Sequence, residues 1–364
     1  MSSSLLYKKV VSVLASELNS GVYSAGEKFP TMRDLCQRFG VSHPTVLHAL
    51  KELNRHGLII HRGTRGYFVA ERGDFRMQTR CLGLLLRPNS CNPKGDDYFN
   101  RIIKGLEMSA FSAGYTLLRP PECILTLPQF PTDDEQQRMM DRVLKMQESV
   151  DGFFVDQKIS DEILAKYLPQ LSKPLVIVNR PTTLPTLAVP PPNYPGMQEI
   201  LELGQRLGYT VFIYIVANLL STNEQERKLA FEDFVEKNQL KNDIIDGGLV
   251  YASERVKEQL DKCLKRFSGE RILFATSTDY LGRLIADYLQ ERKVHFKKEV
   301  GLASFEGLKI ASETTPRLTT VACMPEDLGR LAFEKMSNRL RSMDTMKLPD
   351  NSTVPFTIQM GDTL

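Results

Sequence analysis

The fold of the first part of the chain is decided by residues 29–69, FPTMRDLCQRFGVSHPTVLHALKELNRHGLIIHRGTRGYFV. Thr31 and Ser42 are of the types that commonly precede a helix, and Gly40 lies where the first of the two helices would end. Beyond them, apolar residues flank the sequence at 63–66, GTRG, which predicts two short strands and a turn. Two helices joined by a tight turn and followed by a hairpin make a winged helix-turn-helix. Duplex DNA is therefore the expected partner.

The residues around this segment support the same interpretation. An upstream helix is predicted because four leucine and valine residues recur every four positions: Leu6, Val10, Leu14 and Leu18. Asp34 stands three residues after Thr31, a variant of the capping box that starts a helix. Pro44 is expected early in the third helix, where its missing N–H costs nothing, and Gly57 is expected to end that helix.

Charge is unevenly distributed along the chain, although the formal net charge is only +3. Residues 1–76 hold 11 lysines and arginines against 6 acidic residues, whereas the remainder holds 36 against 38. Four of the five histidines also lie in the first segment. A basic head on a mildly acidic body is the layout expected when only the head meets phosphate.

Composition excludes several classes of protein. At 364 residues the chain suggests two or three domains, and 42% hydrophobic with 25% charged residues is typical of globular proteins. The longest apolar run, residues 209–220, is about half of the roughly 20 residues that a membrane span needs. The six cysteines are scattered without a CxxC pair, so neither disulfides nor a metal site is expected. The first residues, MSSSLLYKKVV, lack the layout of a secretion signal, so a cytoplasmic location is expected.

Motif residues occur throughout the head at characteristic spacings. They are Gly21, Gly26-Glu27-Lys28, Pro30, Arg33-Asp34-Leu35, Phe39-Gly40-Val41-Ser42, Thr45-Val46, Ala49-Leu50, Leu53, Gly57-Leu58 and Gly66-Tyr67-Phe68-Val69. With this set the head resembles the GntR family of transcription regulators. So many matches over about 65 residues make a specific signal, unlike a single short motif.

The resemblance implies that the start of the third helix enters the major groove and that the wing tip reaches the minor groove. It assigns DNA contacts to eight residues: Arg33, Ser42, His43, Thr45, Arg62, Thr64, Arg65 and Gly66. Hydroxyls and helix-start amides suit phosphate, and arginine suits guanine or a narrow minor groove. Taken singly, each basic residue has the alternative of a solvated surface charge, which is the expected role of Arg38 and Lys51.

The head departs from the family at two positions of the third helix. Family members often carry arginine where this chain has His43 and Leu47. Leu47 suits contact with a thymine methyl group. The base preference is therefore expected to differ from the common family site.

The rest of the chain beyond the head, here called the body, alternates strand-like and helix-like segments. After a polar linker at 71–79, strands are predicted at 81–86, 152–156, 175–179, 211–216, 247–251, 271–275 and 300–304. Helices are predicted near 98–113, 133–147, 195–207, 223–237, 254–267, 278–291 and 326–342. Most of the strands are apolar throughout, as in parallel sheets covered on both faces. We expect an α+β head at 1–70 and a two-lobed, doubly wound α/β body at 80–364 with a cleft between its lobes.

Landmark residues in the body identify a second resemblance. They are Tyr98-Phe99, Gly105, Val150-Asp151-Gly152, Pro174, Asn179-Arg180, Glu226-Arg227, Phe231, Ser277-Thr278-Asp279, Val300-Gly301, Phe305-Glu306, Pro316-Arg317-Leu318-Thr319-Thr320 and Leu328-Gly329. With these landmarks the body resembles the effector domain of the LacI family, which has the periplasmic-binding-protein fold. A GntR-type head on a LacI-type body is the combination found in arabinose-type sugar repressors.

This second resemblance implies a cleft that binds a small sugar or polyol. It assigns hydrogen bonds to Asn179, Arg227, Asp279 and Glu306, and ring packing to Tyr98 or Phe99. Hydroxyl-rich ligands need paired donors and acceptors, and an aromatic wall suits the C–H face of a sugar. The alternatives are a helix cap for Asp279, a surface charge for Arg227, and plain core for the two aromatic residues.

Several departures bear on the ligand. Glu306 stands where the family usually has aspartate, one methylene shorter. The segment 189–193, VPPPN, replaces a motif that normally carries an aspartate near the hinge and the dimer surface. The chain also has no tryptophan, a frequent sugar-stacking residue.

Three functions follow as hypotheses. The first is a homodimeric repressor that binds a palindromic operator in double-stranded DNA and responds to a sugar-like effector. The second is an enzyme with an aminotransferase-like body. However, the sequence shows no P-loop, GxSxG, HExxH or GxGxxG motif, so no enzymatic activity and no cofactor are expected. The third is a ligand-blind DNA-binding protein whose body serves dimerisation or docks another protein.

Overall fold

A computed structural model describes the chain at residues 3–24, 26–55, 58–70, 79–86, 98–120, 131–217, 221–247, 254–341 and 349–364. The head comprises α1 (Ser3–Asn19), α2 (Met32–Phe39), α3 (His43–Arg55), β1 (Ile59–His61) and β2 (Tyr67–Val69). The two strands pair antiparallel, with Ile59 opposite Val69. The predicted winged helix-turn-helix is therefore present.

The head has its own hydrophobic core. Its buried residues come from every helix and both strands of the head: Val10, Leu14, Phe29, Leu35, Val46, Ala49, Leu50, Leu53, Ile59 and Val69. The predicted capping box starts α2, since Thr31 accepts a hydrogen bond from the Asp34 amide and Asp34 accepts one from the Thr31 amide. Gly40 ends α2 in the left-handed region at φ 65°, which a residue with a side chain rarely adopts. Gly57, predicted to end α3, lies outside the described residues.

The first lobe of the body is built on a parallel sheet with the strand order β4-β3-β5-β6-β7. Its strands are β3 (Cys81–Leu85), β4 (Thr116–Leu118), β5 (Gly152–Asp156), β6 (Leu175–Val178) and β7 (Leu187–Val189). Its helices are α4 (Tyr98–Ser112), α5 (Asp133–Met146), α6 (Asp161–Tyr167) and α12 (Pro325–Arg341). Separate hydrophobic clusters cover the two faces of this sheet, as a doubly wound fold requires.

The second lobe has the strand order β13-β12-β11-β10-β8-β9, in which only β13 runs antiparallel to its neighbour. Its strands are β8 (Val211–Val216), β9 (Lys241–Asp246), β10 (Ile272–Thr276), β11 (Val300–Glu306), β12 (Thr319–Ala322) and β13 (Thr357–Gln359). Its helices are α7 (Asn193–Arg206), α8 (Thr222–Lys237), α9 (Glu254–Arg266), α10 (Asp279–Glu291) and α11 (Lys309–Glu313). The chain passes between the lobes from β7 to α7, from β12 to α12 and from α12 to β13.

Glycines allow α4 and α12 to pack closely within the first lobe. A Cβ atom on Gly105 would lie 2.0 Å from the backbone oxygen of Glu326, and one on Gly329 would lie 2.0 Å from that of Ile102. Arg101 and Glu326 join the same two helices by an ion pair at 2.9 Å. This packing holds the start of α4, and with it Tyr98 and Phe99, at the edge of the cleft.

The two-lobed α/β fold predicted for the body is confirmed, and β5 and β8 have the predicted bounds. One strand differs from its prediction. The strand expected at 247–251 does not begin there, because β9 ends at Asp246, Gly247 follows it, and residues 248–251 lie outside the described residues. β9 lies at the edge of its sheet and buries only Ile245 fully, so its sequence, KNDIID, lacks the apolar run that identified the inner strands.

The predicted linker falls mostly outside the described residues, at 71–78. Thr79 is described, and its amide donates to the Asp151 carboxylate at 2.7 Å. Among the described helices, none combines the length and the apolar character needed to cross a bilayer.

Candidate functional site

The start of α3 is exposed and carries two of the predicted DNA contacts. Ser42 precedes the helix, its carbonyl oxygen accepting from the Val46 amide at 3.1 Å, and His43 is the first helical residue. Both side chains are exposed. Thr45 is 8% exposed, and its hydroxyl lies 2.9 Å from that of Ser42. Thr45 thus supports Ser42 from behind, while the side chains of Ser42 and His43 are exposed.

Two arginines on α2 have different surroundings. Arg33, at the second position of the helix, is exposed and forms no hydrogen bond to a described residue. Arg38 donates to the Glu17 carboxylate and, at 3.1 Å, to the Tyr23 hydroxyl, which ties α2 to α1. The structure pairs Arg38, for which the sequence predicted a solvated surface charge, with Glu17, and the DNA contact of Arg33 stays a prediction.

The wing presents its basic residues at a tight turn. The Arg62 amide donates to the Gly66 carbonyl at 2.9 Å, and Gly63 and Gly66 have φ values of 58° and 88°. These conformations are why glycine stands on both sides of the tip. The side chains of Arg62, Thr64 and Arg65 are exposed, and the Arg62 guanidinium lies 5.0 Å from the centre of the Phe68 ring.

In the body, the first lobe contributes Asn179 and Tyr98 to the cleft. Asn179 follows β6 with φ 68° and is 5% exposed. It accepts from the Tyr98 hydroxyl at 2.9 Å and donates to Gln157 at 2.8 Å. Tyr98 also lies within electrostatic range of Arg227 and Glu306 on the other lobe, and burial raises its pKa well above the usual value. The structure therefore brings these predicted residues together across the cleft.

Phe99 lines a small recess at the same end of the first lobe. Its walls are Leu86, Phe99, Ile102, Ile103, Asp156, Val178 and Asn179. A mainly apolar pocket with one carboxyl and one amide is the usual composition of a small-molecule site. Phe99 is placed to contact a ligand in this recess, and it packs edge-on against Tyr98.

The second lobe contributes Arg227, which is 3% exposed on α8. Its Nε donates to Asn193 at 2.9 Å, its Nη1 donates to the Ser277 carbonyl, and its guanidinium carbon lies 3.9 Å from the centre of the Phe305 ring. Its Nη2 donates to no described residue. Arg227 is therefore not a surface charge, and it keeps one hydrogen-bond donor for a ligand.

Asp279 is buried behind the cleft. The cap of α10 is its neighbour Thr278, whose hydroxyl accepts from the Leu281 amide at 3.2 Å. Asp279 itself is fully buried, and burial raises its pKa to about 6. Its carboxylate accepts from Ser304 at 2.5 Å, Thr320 at 2.6 Å and the Leu308 amide at 2.6 Å. These bonds tie α10 to β11, β12 and the start of α11.

A set of side-chain amides connects the two lobes, and of its members only Asn179 was predicted from the sequence. This amide belt consists of Gln157, Asn179, Asn193 and Asn223. Asn193 donates to Asn223 at 2.9 Å, and Asn223 donates to the Asn179 carbonyl at 2.8 Å and to Gln157 at 3.3 Å. Asn193 also accepts a hydrogen bond from Arg227. The belt therefore connects Arg227 on the second lobe with Asn179 on the first. The sequence feature that could have indicated this belt is the VPPPN segment, in which Asn193 follows three prolines where the chain first crosses between the lobes.

Glu306 ends β11 and is the acidic member of the cleft. It has φ 112°, a conformation unusual for a residue with a side chain, and no described residue donates a hydrogen bond to its carboxyl. Burial raises its pKa to about 8, and the nearby Arg227 opposes this shift. The carboxyls of Asp279 and Glu224 add to the rise. Glu306 is thus a partly buried acid that accepts no hydrogen bond from the described residues.

The raised pKa of Glu306 makes a testable contribution to stability. Between its usual pKa of 4.5 and its folded-state pKa of about 8, the folded chain binds a proton more tightly than the unfolded chain. Stability from this group is therefore full below pH 4.5, declines as pH rises, and is constant above about pH 8. We expect Glu306→Gln to melt at a higher temperature than wild type at about pH 8.5, and to show a shallower decline from about pH 5. A constant difference between the melting temperatures of wild type and Glu306→Gln across this pH range would show that Glu306 is ionised throughout.

Among the described residues, no group of three or more histidine, cysteine, aspartate or glutamate side chains is placed to hold a metal ion. Within the part of the chain that the structure describes, the cleft offers the Nη2 of Arg227, the carboxyl of Glu306 and the aromatic side chains of Tyr98 and Phe99.

Two family models match the chain. Residues 6–69 match "Bacterial regulatory proteins, gntR family", and residues 202–363 match "Periplasmic binding protein-like domain". The arabinose metabolism transcriptional repressor of Geobacillus stearothermophilus is 22% identical over 359 residues, covering 94% of this chain and 93% of that protein. The ribose operon repressor of Escherichia coli K12 is 23% identical over 366 residues, covering 91% and 99%.

Solved structures support the fold. The transcriptional regulator CelR in complex with cellobiose superposes with a TM-score of 0.63 at 14% identity, covering 92% of this chain and all of that one. At this identity the likeness concerns architecture alone. The two matched models, the full-length relatives and this architecture agree with one another. The chain is a transcription regulator that joins a winged helix-turn-helix head of the GntR family, at residues 6–69, to a periplasmic-binding-protein-like body.

Proposed function

We propose that the chain is a repressor that binds its operator through the head and is released when a small sugar or polyol enters the cleft of the body. The observation that carries this proposal is that Arg227 and Glu306, which lie within electrostatic range of each other, keep an Nη2 donor and a carboxyl without hydrogen-bond partners among the described residues. A polyol hydroxyl both donates and accepts, so it satisfies both groups at once. Relatives named as arabinose and ribose repressors support the same ligand class.

The lining of the recess, mainly apolar with one carboxyl and one amide, suits the ring and hydroxyls of a small sugar. Phe99 and Tyr98 supply the flat wall for the C–H face of the sugar ring. Asn179 lines the recess and belongs to the amide belt. A ligand in the recess therefore reaches the contacts that hold the two lobes together.

Ligand control needs only a modest coupling between the cleft and the head. A coupling free energy of about 1–3 kcal/mol between effector binding and operator binding alters operator affinity roughly 5- to 150-fold. The amide belt bridges the lobes beside the first crossing, at Asn193, so it is placed to report closure. Hinge closure around a ligand is a known way to move attached domains.

We further propose that the chain acts as a homodimer on a palindromic operator, in the cytoplasm. Winged helix-turn-helix heads commonly read two half-sites through a two-fold dimer. The first lobe exposes apolar side chains on α4 and on the edge strand β4: Met108 at 61%, Phe111 at 61% and Leu118 at 40%. A second copy of the chain is the occupant proposed for this face.

The first test of the DNA-binding part is Arg33→Ala. A DNA fragment recovered by selecting genomic fragments with the purified protein serves as the probe. Loss of one phosphate contact should weaken binding and reduce the slope of log affinity against log salt by about 0.9. Arg38→Ala is the matched control, because Arg38 is paired with Glu17 and should leave the slope unchanged. An unchanged slope for Arg33→Ala would mean that Arg33 does not contact phosphate.

A second function is favoured by one specific observation. The amide belt already joins the lobes through the protein's own groups, as a ligand would. A ligand-blind regulator, whose body dimerises or docks another protein, is therefore the alternative. A thermal-shift panel of pentoses, hexoses and polyols separates the two, since a bound ligand at 100 times its Kd adds ~2.7 kcal/mol of stability. The relatives above are repressors, and we propose no catalytic role.

A further inference from the structure

The outward face of α3 has an unusual composition for a DNA-reading surface. His43, Pro44, Lys51 and Asn54 are exposed on it, and Leu47 is partly exposed one turn from both His43 and Lys51. Leu47 does not belong to the hydrophobic cluster of the head, whose α3 members are Val46, Ala49, Leu50 and Leu53. A leucine that is neither core nor fully solvated therefore lies in the middle of this surface.

The side chains around Leu47 leave few direct readers of bases. Arginine or lysine reads guanine, and asparagine or glutamine reads adenine, through paired hydrogen bonds in the major groove. Residues 43–50, the first two turns of α3, contain none of these four types. His48 is also on this side, but its ring is stacked on Tyr7 at 4.1 Å between ring centres. The reading edge near the helix start is thus His43, Pro44 and Leu47.

An apolar side chain facing the major groove has one apolar partner among the base edges, the 5-methyl group of thymine. We propose that Leu47 is a specificity residue that selects thymine through this methyl group. The inference rests on the proposed function, because it requires α3 to lie in the major groove of an operator. It goes beyond that function in naming a base and the atom group by which it is read.

The test begins with selection from a random duplex library by three full-length proteins: wild type, Leu47→Ala and Lys51→Ala. Wild type should enrich a half-site with thymine at a fixed position, and Leu47→Ala should lose the preference at that position alone. Lys51→Ala is the matched control, because Lys51 is an exposed surface charge one turn away and its loss should leave the preference at the thymine unchanged. Leu47 lies outside the head core, so its variant should melt at the wild-type temperature.

The second step replaces the selected thymine by deoxyuridine, which removes only the methyl group. Wild type and Lys51→Ala should bind the deoxyuridine duplex about fourfold more weakly, the effect of about one buried methyl group. Leu47→Ala should bind both duplexes equally. A third variant, Leu47→Arg, should shift the preference at the same position to guanine, which arginine reads through two hydrogen bonds.

The outcomes separate this inference from the function on which it rests. If wild type enriches a site and Leu47→Ala keeps both its preference and its sensitivity to deoxyuridine, the role of Leu47 is overturned while the regulator stands. If wild type binds the library but enriches no sequence, sequence-specific regulation itself is overturned, and the role of Leu47 with it.

Discussion

Replacing Arg227 by alanine is expected to abolish the response to the effector while leaving operator binding intact. Arg227 is the buried cation of the cleft, and its described contacts, Asn193, Ser277 and Phe305, all lie in the body rather than in the head. Hydrogen bonds to a charged group contribute ~1.5–3 kcal/mol each, so losing the free Nη2 donor should weaken the effector at least about tenfold. The position of Nη2 also depends on the Asn193 and Ser277 bonds, and their loss should remove the remaining response.

The measurement uses the sugar that stabilises wild type most strongly. It compares the thermal shift that this sugar produces in wild type with the shift that it produces in Arg227→Ala. Alanine also leaves the Glu306 and Glu224 carboxyls without their nearby cation, so the unliganded variant should melt lower. Arg227→Lys, which keeps the charge but cannot reproduce the planar set of donors, guards against simple unfolding. Arg292→Ala, which removes a surface arginine paired with Asp261 in the same lobe, is the control that should respond normally. A full thermal shift in both Arg227 variants would remove Arg227 from the site.

Most inner strands of the body were predictable because burial on both faces leaves an apolar run in the sequence, whereas the buried inner strand β12, TTVA, is half threonine and was not predicted. β8, VFIYIV, is buried at every position and has the predicted bounds. β9 lies at an edge, where half of its residues face water, and it escaped prediction for that reason. Sequence periodicity therefore reports how deeply an element is buried more directly than what kind of element it is.

The cleft was predictable only in part, and for a different reason. Arg227 and Glu306 each follow a landmark with a recognisable spacing, so their positions could be assigned from the resemblance. The amide belt has no such spacing, because its members come from segments far apart in the chain and become neighbours only when the lobes meet. An isolated asparagine in a sequence indicates a turn or a cap as readily as a buried hydrogen-bond partner. Contacts between lobes thus carry the information that the sequence alone did not reveal.

Asp279 shows how a residue at a family position can have a structural role, and its replacement is the second large effect that we expect. Asp279→Ala removes the acceptor for three donors inside the second lobe. The hydroxyls of Ser304 and Thr320 can turn to nearby carbonyls at 3.4 Å, but the Leu308 amide has no other acceptor among its described contacts. One orphaned buried donor and the lost packing should together lower stability by ~3 kcal/mol. For a lobe of this size that is on the order of 6–10 °C in melting temperature.

Thr278→Ala is the matched control for Asp279→Ala, since Thr278 is the cap of α10 and its loss should lower stability by only ~1 kcal/mol. Both variants should keep the thermal shift produced by the effector, because neither side chain donates to or accepts from the open part of the cleft. The two roles of Asp279 predict opposite patterns. A large loss of stability with a retained effector response fits a tie between α10, β11 and β12, whereas an unchanged melting temperature with a lost response would make Asp279 a ligand contact. In the first case, effector specificity rests on Arg227, Glu306 and Asn179, and the aspartate preserves the shape of the lobe that holds the first two.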